Sequence, residues 1–340
     1  MAEINIEQPA ELIAYLRETG RIGPEEVPRI EVLAGGVSNR TVLVQLSSGQ
    51  AWVLKQALAK LRVAVDWFSP PERIEREALG LRWLHLLAPP GSVTPLVFED
   101  PTQHLLAMAA VPQPHENWKS RLLVCEIEQD HIDQFGQLLG TIHRRSAELR
   151  TEVEPVFADR GYFESLRLEP YYRYTATQVP DASLFLTELA TETLSHRDTL
   201  VHGDYSPKNV LVYDNRLILL DHEVIHFGDP GFDIGFSLTH LLSKAHHLTD
   251  CRLAFLQAAD QYWNAYLATA GATTPWVVGL EARAVRHTLA CLLARVAGRS
   301  PLEYLDAEER ARQQEAVVQI ITHGPPKTLP ALIELFSTHL

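Results

Sequence analysis

Apolar positions change their period along this chain. Residues 9–20 carry an amphipathic helical pattern that Gly20 ends. From residue 30 to 56 the pattern turns to strands. Ile30, Val32 and Leu33 lead into Gly35-Gly36, and Thr41 to Leu46 is rich in β-formers. Ser48-Gly49 reads as a hairpin turn and Trp52-Val53-Leu54 as the return strand. Helical spacing resumes over 72–87, fenced by Pro70-Pro71 and Pro89-Pro90. Val97-Phe98 and Leu105 to Met108 predict two further strands. Pro112 and Pro114 then break the pattern. Beyond them helical periodicity dominates, over about 130–149, 182–195, 235–247, 251–270, 278–297 and 306–322. A compact β segment, Leu200-Val201 and Val210 to Leu220, interrupts it. No internal repeat shows. The expectation is an α+β chain in two parts, a β-rich 1–111 with one prominent helix and a mainly helical 112–340.

The β segment of the second part is threaded with polar residues. His202-Gly203-Asp204 sits in a loop, Asn209 follows Asp204 by five residues, and an apolar strand comes next. Twelve residues beyond Asn209, after a second apolar run, stand Asp221-His222-Glu223. Asp, Gly, Pro and Asn all favour turns, so a lone HGD would be a turn between strands. The full spacing is more specific, and phosphoryl transfer explains it. Asp204 would orient an acceptor hydroxyl and take its proton. The Asn209 amide oxygen and the Asp221 carboxylate, both hard oxygen donors, would hold Mg²⁺, with Glu223 as a further metal or positioning group. The spacing of five between base and asparagine matches the HRDxxxxN logic of protein kinases, with HGD in place of HRD.

These residues resemble the phosphotransferase family of aminoglycoside phosphotransferases, choline kinases and 5-methylthioribose kinases. The resemblance runs from about residue 30 to 300. Asp221-His222-Glu223, the stretch Gly228 to Gly235, Val53 to Ala57, Trp67 and Arg73-Ile74-Glu75 look most like the methylthioribose kinases. Two positions depart from that branch. Its catalytic loop lacks the asparagine present at 209, and one of its two adjacent C-terminal arginines is replaced here by Ala294, leaving Arg295 as the candidate substrate-side cation. The resemblance implies a protein-kinase-like two-lobed fold, with a nucleotide-binding first lobe, a catalytic and substrate-binding second lobe, and an ATP cleft between them.

Several first-part residues gain meaning from it. Lys55, on a predicted strand, would contact the nucleotide phosphates; alone it would be an ordinary surface lysine. Its partner would be an acid of helix 72–87. Glu77 shares a face with Ile74, Ala78, Leu81 and Leu84, which favours it, whereas the resemblance favours Glu75. Gly35, Gly36 and Ser38, between two strands, would cover the phosphates with backbone N–H groups. Met108 to Val111 would form the hinge, with the backbone of Ala109 and Val111 meeting adenine. Asp233 would hold the catalytic loop, and His202 reads as a structural core histidine.

A formal net charge of −13 argues against nucleic acid as a partner. Most of that charge lies after residue 112, which would suit a cationic acceptor such as an aminoglycoside or an amino alcohol. Tyr171, Tyr172, Tyr174, Trp263 and Tyr266 are candidates for a cage around such a cation. His222, His226, His240, His246 and His247 match no zinc spacing. Cys125, Cys251 and Cys291 lie far apart, as free thiols in a reducing compartment would. The N-terminal stretch does not read as a signal peptide, and no run reaches about 18 apolar residues, so a cytoplasmic protein without a membrane span is expected. Two functions compete: a kinase using ATP and Mg²⁺ on a small hydroxyl compound (a sugar such as 5-methylthioribose, an aminoglycoside or an amino alcohol), and a nucleotide-binding regulatory module without catalysis. Retention of Lys55, Asp204, Asn209 and Asp221 favours the first, and the lack of DFG and APE segments counts against a protein kinase.

Overall fold

The computed structural model describes residues 4–33, 38–62 and 68–339. It divides into two compact units, Met1–Leu86 with Val93–Gln113, and Leu87–Ser92 with Pro114–Leu340.

The first unit runs α1 (Pro9–Glu18), β1 (Arg29–Val32), β2 (Asn39–Gln45), β3 (Ala51–Ala57), α2 (Arg73–Leu87), β4 (Leu96–Asp100) and β5 (Leu105–Ala109). Its strands form one antiparallel sheet in the order β1-β2-β3-β5-β4. The hairpin between β2 and β3 turns at Gly49, whose φ of 87° needs a glycine. Leu12, Tyr15 and Leu16 of α1 pack with Val42, Val44, Leu54, Leu105 and Ala107 of the sheet. Alternation along β3 then sends Lys55, the neighbour of Leu54, to the opposite face. It pairs in register with Thr41 of β2 and Leu106 of β5. The stripe Ile74, Glu77, Ala78, Leu81 and Leu84 of α2 is buried, as its spacing predicts.

The second unit begins with β6 (Glu116–Asn117), α3 (Trp118–Leu123), α4 (Gln129–Glu148), α5 (Arg150–Val156) and α6 (Gly161–Phe163). A π-helical stretch, Glu164–Arg173, joins α6 to α7 (Tyr174–Gln178). Then come α8 (Ser183–Ser195), β7 (Thr199–Val201), β8 (Val210–Tyr213), β9 (Arg216–Leu219), β10 (His226–Gly228), α9 (Pro230–His247), α10 (Arg252–Ala270), α11 (Leu280–Ala297), α12 (Ala307–His323) and α13 (Leu329–Thr338). Two small antiparallel sheets, β6-β8-β9 and β7-β10, carry the polar loops. The central element is α9, buried along nearly its whole length. It starts at Pro230, five residues before the predicted helix, because Asp229 caps it by accepting from the Gly231 N–H at 2.9 Å and Pro230 takes the first helical position. Gly235 lets α9 meet α11 backbone to backbone: a Cβ there would lie 2.5 Å from His287 Cβ and 2.6 Å from the Thr288 nitrogen.

One expectation is corrected. Cys125 and Cys251 are not free thiols but form a disulfide, with Cα atoms 6.2 Å apart. The fold brings the end of α3 to the turn before α10, an adjacency that a sequence separation of 126 residues conceals. Cys291 is free and buried. Among the described residues no helix is long and apolar enough to cross a membrane.

Candidate active site

The first unit holds a buried ion pair of its own. Lys55 Nζ lies 2.6 Å from Glu77 Oε1, and the Glu77 side chain is fully buried. Glu75 points outward and is exposed. The stripe argument, which selects Glu77, therefore describes the geometry, and the resemblance to Arg73-Ile74-Glu75 does not. Arg73 serves the backbone instead. Its fully buried guanidinium donates to the carbonyls of Ser38, Ser69 and Pro70. It thereby pins the start of β2 to the turn before α2. Ser38 is buried, and its carbonyl also accepts from the Leu58 N–H at 2.9 Å. Gly35 and Gly36, like Val37 and Trp67, lie outside the described residues. At the end of β5 the Ala109 N–H donates to Pro95 and the Ala110 N–H to Ala51, both at 2.9 Å, while the Val111 side chain is buried.

The second unit holds the HGD loop. Asp233, fully buried one turn into α9, accepts from the backbone N–H of His202 at 2.6 Å and of Gly203 at 2.8 Å. His143 of α4 approaches the same carboxylate at 3.3 Å and is itself bonded to the Tyr266 hydroxyl at 2.9 Å. Burial alone would raise the Asp233 carboxyl, but His143 and the backbone N–H bonds of the loop, Gly203 among them, hold it below the ordinary carboxylate range. Gly203 has a φ of 78°, and a Cβ there would strike Val224 at 2.9 Å, so the sharp turn requires glycine. His202 accepts from the Asp204 N–H through Nδ1 at 3.2 Å, so Nε2 carries the proton and donates to the Leu220 carbonyl at 3.2 Å. Burial depresses its pKa, keeping it neutral and structural.

Asp204 is thereby presented with 16% of its side chain still exposed, which leaves the carboxylate reachable. Its Oδ2 accepts from Asn209 Nδ2 at 2.6 Å and stands 3.1 Å from Arg167 Nη2. Asn209 Nδ2 also donates to the Asp204 carbonyl at 3.0 Å. That commits the amide nitrogen to the loop and leaves the amide oxygen as the ligand atom. Asn209 O accepts from the Leu220 N–H at 2.9 Å, which sets Asp221 beside Asn209. Asp221 adopts a left-handed backbone, φ 68°, at a cost of roughly 1 kcal/mol. Glu223 is buried two residues further on. Among the described residues no group of three or more His, Cys, Asp or Glu is close enough to hold a metal ion. The donor set here is instead a freed amide oxygen beside a carboxylate, hard oxygens that fit Mg²⁺ with its remaining positions left to phosphates and water.

Arg167 is the residue the sequence did not reveal. It projects from the π-helical stretch, and its Nε donates to the Gly203 carbonyl at 2.8 Å. Burial opposes its charge, but Asp204, Tyr171, Glu223 and Asp221 outweigh burial and raise its pKa. Arg295 is buried on α11, with Nη1 donating to the Tyr171 hydroxyl at 2.9 Å and to Ser300. The five aromatic residues do not converge into a cage. Tyr171 lies near Arg167 and Arg295, Tyr174 faces Arg299, Tyr172 bonds His287, and Trp263 stacks on Tyr266 in α10.

Comparison with known proteins decides the family. Residues 29–266 match the phosphotransferase enzyme family, well over half of the chain. The chain belongs to that family. A methylthioribose kinase of Cronobacter sakazakii is 23% identical over 262 residues, covering 68% of this chain and 65% of its own length. The chain thus spans under two-thirds of the length of such relatives. Among solved structures, an amicoumacin kinase in complex with AMP-PNP, Ca²⁺ and Ami superposes with a TM-score of 0.60 at 15% identity, over 96% of this chain and 100% of its own. A choline kinase of Cryptosporidium parvum gives 0.57 at 12% identity, over 97% and 100%. The fold is the α+β, protein-kinase-like fold of these phosphotransferases.

Proposed function

We propose that the chain is a kinase that moves the γ-phosphate of ATP to a hydroxyl of a small molecule. The observation that carries this reading is the Asp204 carboxylate, reachable yet fixed from two sides by Asn209 and Arg167, on a loop clamped by Asp233. Asp204 orients the acceptor hydroxyl and takes its proton as the new bond to phosphorus forms and the bond to ADP breaks. Asn209 and Asp221, with Glu223 close by, would hold Mg²⁺, which when bound neutralises charge on the phosphates. In the first unit, Glu77 fixes the Lys55 ammonium for the nucleotide phosphates, and the Ala109 to Val111 backbone serves adenine. The reading puts the chain in the cytoplasm, with the ATP it uses, and makes the Cys125–Cys251 disulfide an exception to the rule that thiols stay reduced there.

Methylthioribose and choline, which appear in the names of relatives and structural neighbours, are the reference acceptors. ADP release in the presence of ATP, Mg²⁺ and a panel of sugars, amino alcohols and aminoglycosides tests the reading. Acceptor-dependent release that Asp204→Ala abolishes supports it. Nucleotide binding with no acceptor-dependent turnover from any class defeats it.

A further inference from the structure

Two buried cations of the second unit, Lys244 and Arg295, take no part in the phosphoryl transfer itself, although the sequence offers Arg295 as a substrate-side cation. Lys244 of α9 is fully buried, and among the described residues its Nζ has one hydrogen bond, to the His240 carbonyl a turn back at 3.1 Å. No carboxylate pairs with it among the described residues. The ammonium sits 5.4 Å above the ring of Tyr304, whose buried hydroxyl has no partner among the described residues. Arg295, facing from α11, has a buried Nε that is likewise unpartnered. His240 is 4% exposed, lies edge-on to Phe236, and bonds to no described residue through either ring nitrogen. The carboxylate that acts on Lys244 is Glu303, and Lys119 already pairs with it.

The imbalance has one sign. Two buried cations and a hydroxyl have donor capacity to spare, and among the described residues no carboxylate bonds any of them, Glu303 acting on Lys244 only from its pairing with Lys119. Burying an ammonium without a counter-ion is costly, and so is an unmet donor. Titration reflects the same crowding. Burial, then Lys119 and Arg295, depress Lys244 to about 7 against the pull of Glu303. Burial, then Arg295, Lys244, Lys119 and Lys208, push His240 well below its usual value. The cluster also adjoins the catalytic loop. Lys208 lies within that loop, and the Tyr171 ring lies 5.8 Å from the Arg295 guanidinium and 6.0 Å from that of Arg167, the partner of Asp204.

We propose that Lys244, Arg295, Tyr304 and His240 hold an oxyanion of the acceptor, a carboxylate or a phosphate, so that the substrate is a hydroxyl compound already bearing negative charge. This rests on the kinase reading and narrows it, against the cationic acceptor that the net charge suggests. The anion is a handle and does not react. The acceptor hydroxyl loses its proton to Asp204 and bonds the γ-phosphorus, while the bond to the ADP oxygen breaks and ADP leaves with that electron pair.

Two measurements on the full chain test this. In the first, calorimetry titrates inorganic phosphate and acetate into protein saturated with Mg²⁺ and AMP-PNP, which occupies the nucleotide phosphate positions. At least one anion should bind, and Lys244→Met and Arg295→Met should each weaken it about tenfold or more. Lys244→Met keeps length while removing a buried charge. Tyr304→Phe, which removes one hydroxyl, should weaken binding severalfold and covers the case of a variant that does not fold. In the second, ATP turnover compares ribose with ribose 5-phosphate and ribonate, the two charged sugars separating phosphate from carboxylate. One of them should exceed ribose at least tenfold in kcat/KM, and Lys244→Met should erase the advantage. Absence of anion binding, or binding indifferent to the folded variants, overturns the proposal, as does equal turnover of ribose and both charged sugars. Failure of AMP-PNP itself to bind would instead defeat the kinase reading, and the phosphate titrations of nucleotide-free protein would still decide the anion site.

Discussion

Arg167 Nη2 lies 3.1 Å from Asp204 Oδ2 while Arg167 Nε holds the carbonyl of Gly203. One guanidinium thus grips both the side chain and the backbone of the catalytic turn. Such a fork keeps the carboxylate in one rotamer in a way a lysine could not. Replacing Arg167 by Lys or Met should lower kcat by roughly 10- to 100-fold, the scale of a lost charged hydrogen bond. Nucleotide KM should stay within about twofold. Steady-state kinetics separates the two, and a change confined to nucleotide KM would contradict the positioning role.

Asp204→Ala should reduce kcat by about 10²- to 10⁴-fold, the range for removal of a general base. Turnover close to wild type would remove Asp204 from the chemistry.

The Lys55–Glu77 pair predicts an asymmetry between two nearby acids. Lys55→Met should raise nucleotide KM roughly tenfold or more, and Glu77→Gln should act in the same direction. Glu75→Gln, on the exposed face of α2, should change nothing measurable. An equal effect of the two glutamate substitutions would show that the pair does not matter to nucleotide handling.

Chelation of divalent metal should abolish turnover, and Mg²⁺ should restore it. Asp221→Asn should raise the Mg²⁺ needed for half-maximal rate by more than roughly tenfold, since even outer-shell partners are worth that much. An unchanged Mg²⁺ titration would exclude Asp221 as a ligand.

Stability should fall in acid through Asp229. Burial would raise this carboxyl, but His287, Arg283 and the Gly231 N–H hold it well below the carboxylate range. A depressed folded pKa stabilises the protein above the unfolded value of about 3.9 and is lost as pH falls below it. Asp229→Asn should cost about 3 kcal/mol at pH 7, as breaking a buried pair does. Urea unfolding should show the gap to wild type narrowing below about pH 4. A gap that does not change with pH would contradict this account.

What could be read from the sequence was what lies close along the chain. Asp204, Asn209 and Asp221 fall within 18 residues on one β segment, so their chemistry shows as spacing. Glu77 could be chosen over Glu75 because a helix of period 3.6 sorts faces. Arg167 gave no such signal. It stands 37 residues upstream of Asp204 in a stretch wound as a π-helix with Pro170 inside it, where neither helical nor strand spacing applies. The Cys125–Cys251 bond was hidden by separation. Lys244 gave no signal either, because pattern alone does not tell that α9 is buried along nearly its whole length.

Gly235 carries a consequence for evolution at this site. Lys244 and His240 stand on α9, Arg295 stands two turns past Thr288 on α11, and the two helices touch at a residue with no side chain. A methyl group at 235 would wedge the helices apart, and Arg295 would travel outward with its helix. The span between the cations, and so the size of anion they can share, is set by a neutral residue that touches neither. A lineage could retune its acceptor by enlarging position 235 while leaving every charged residue in place.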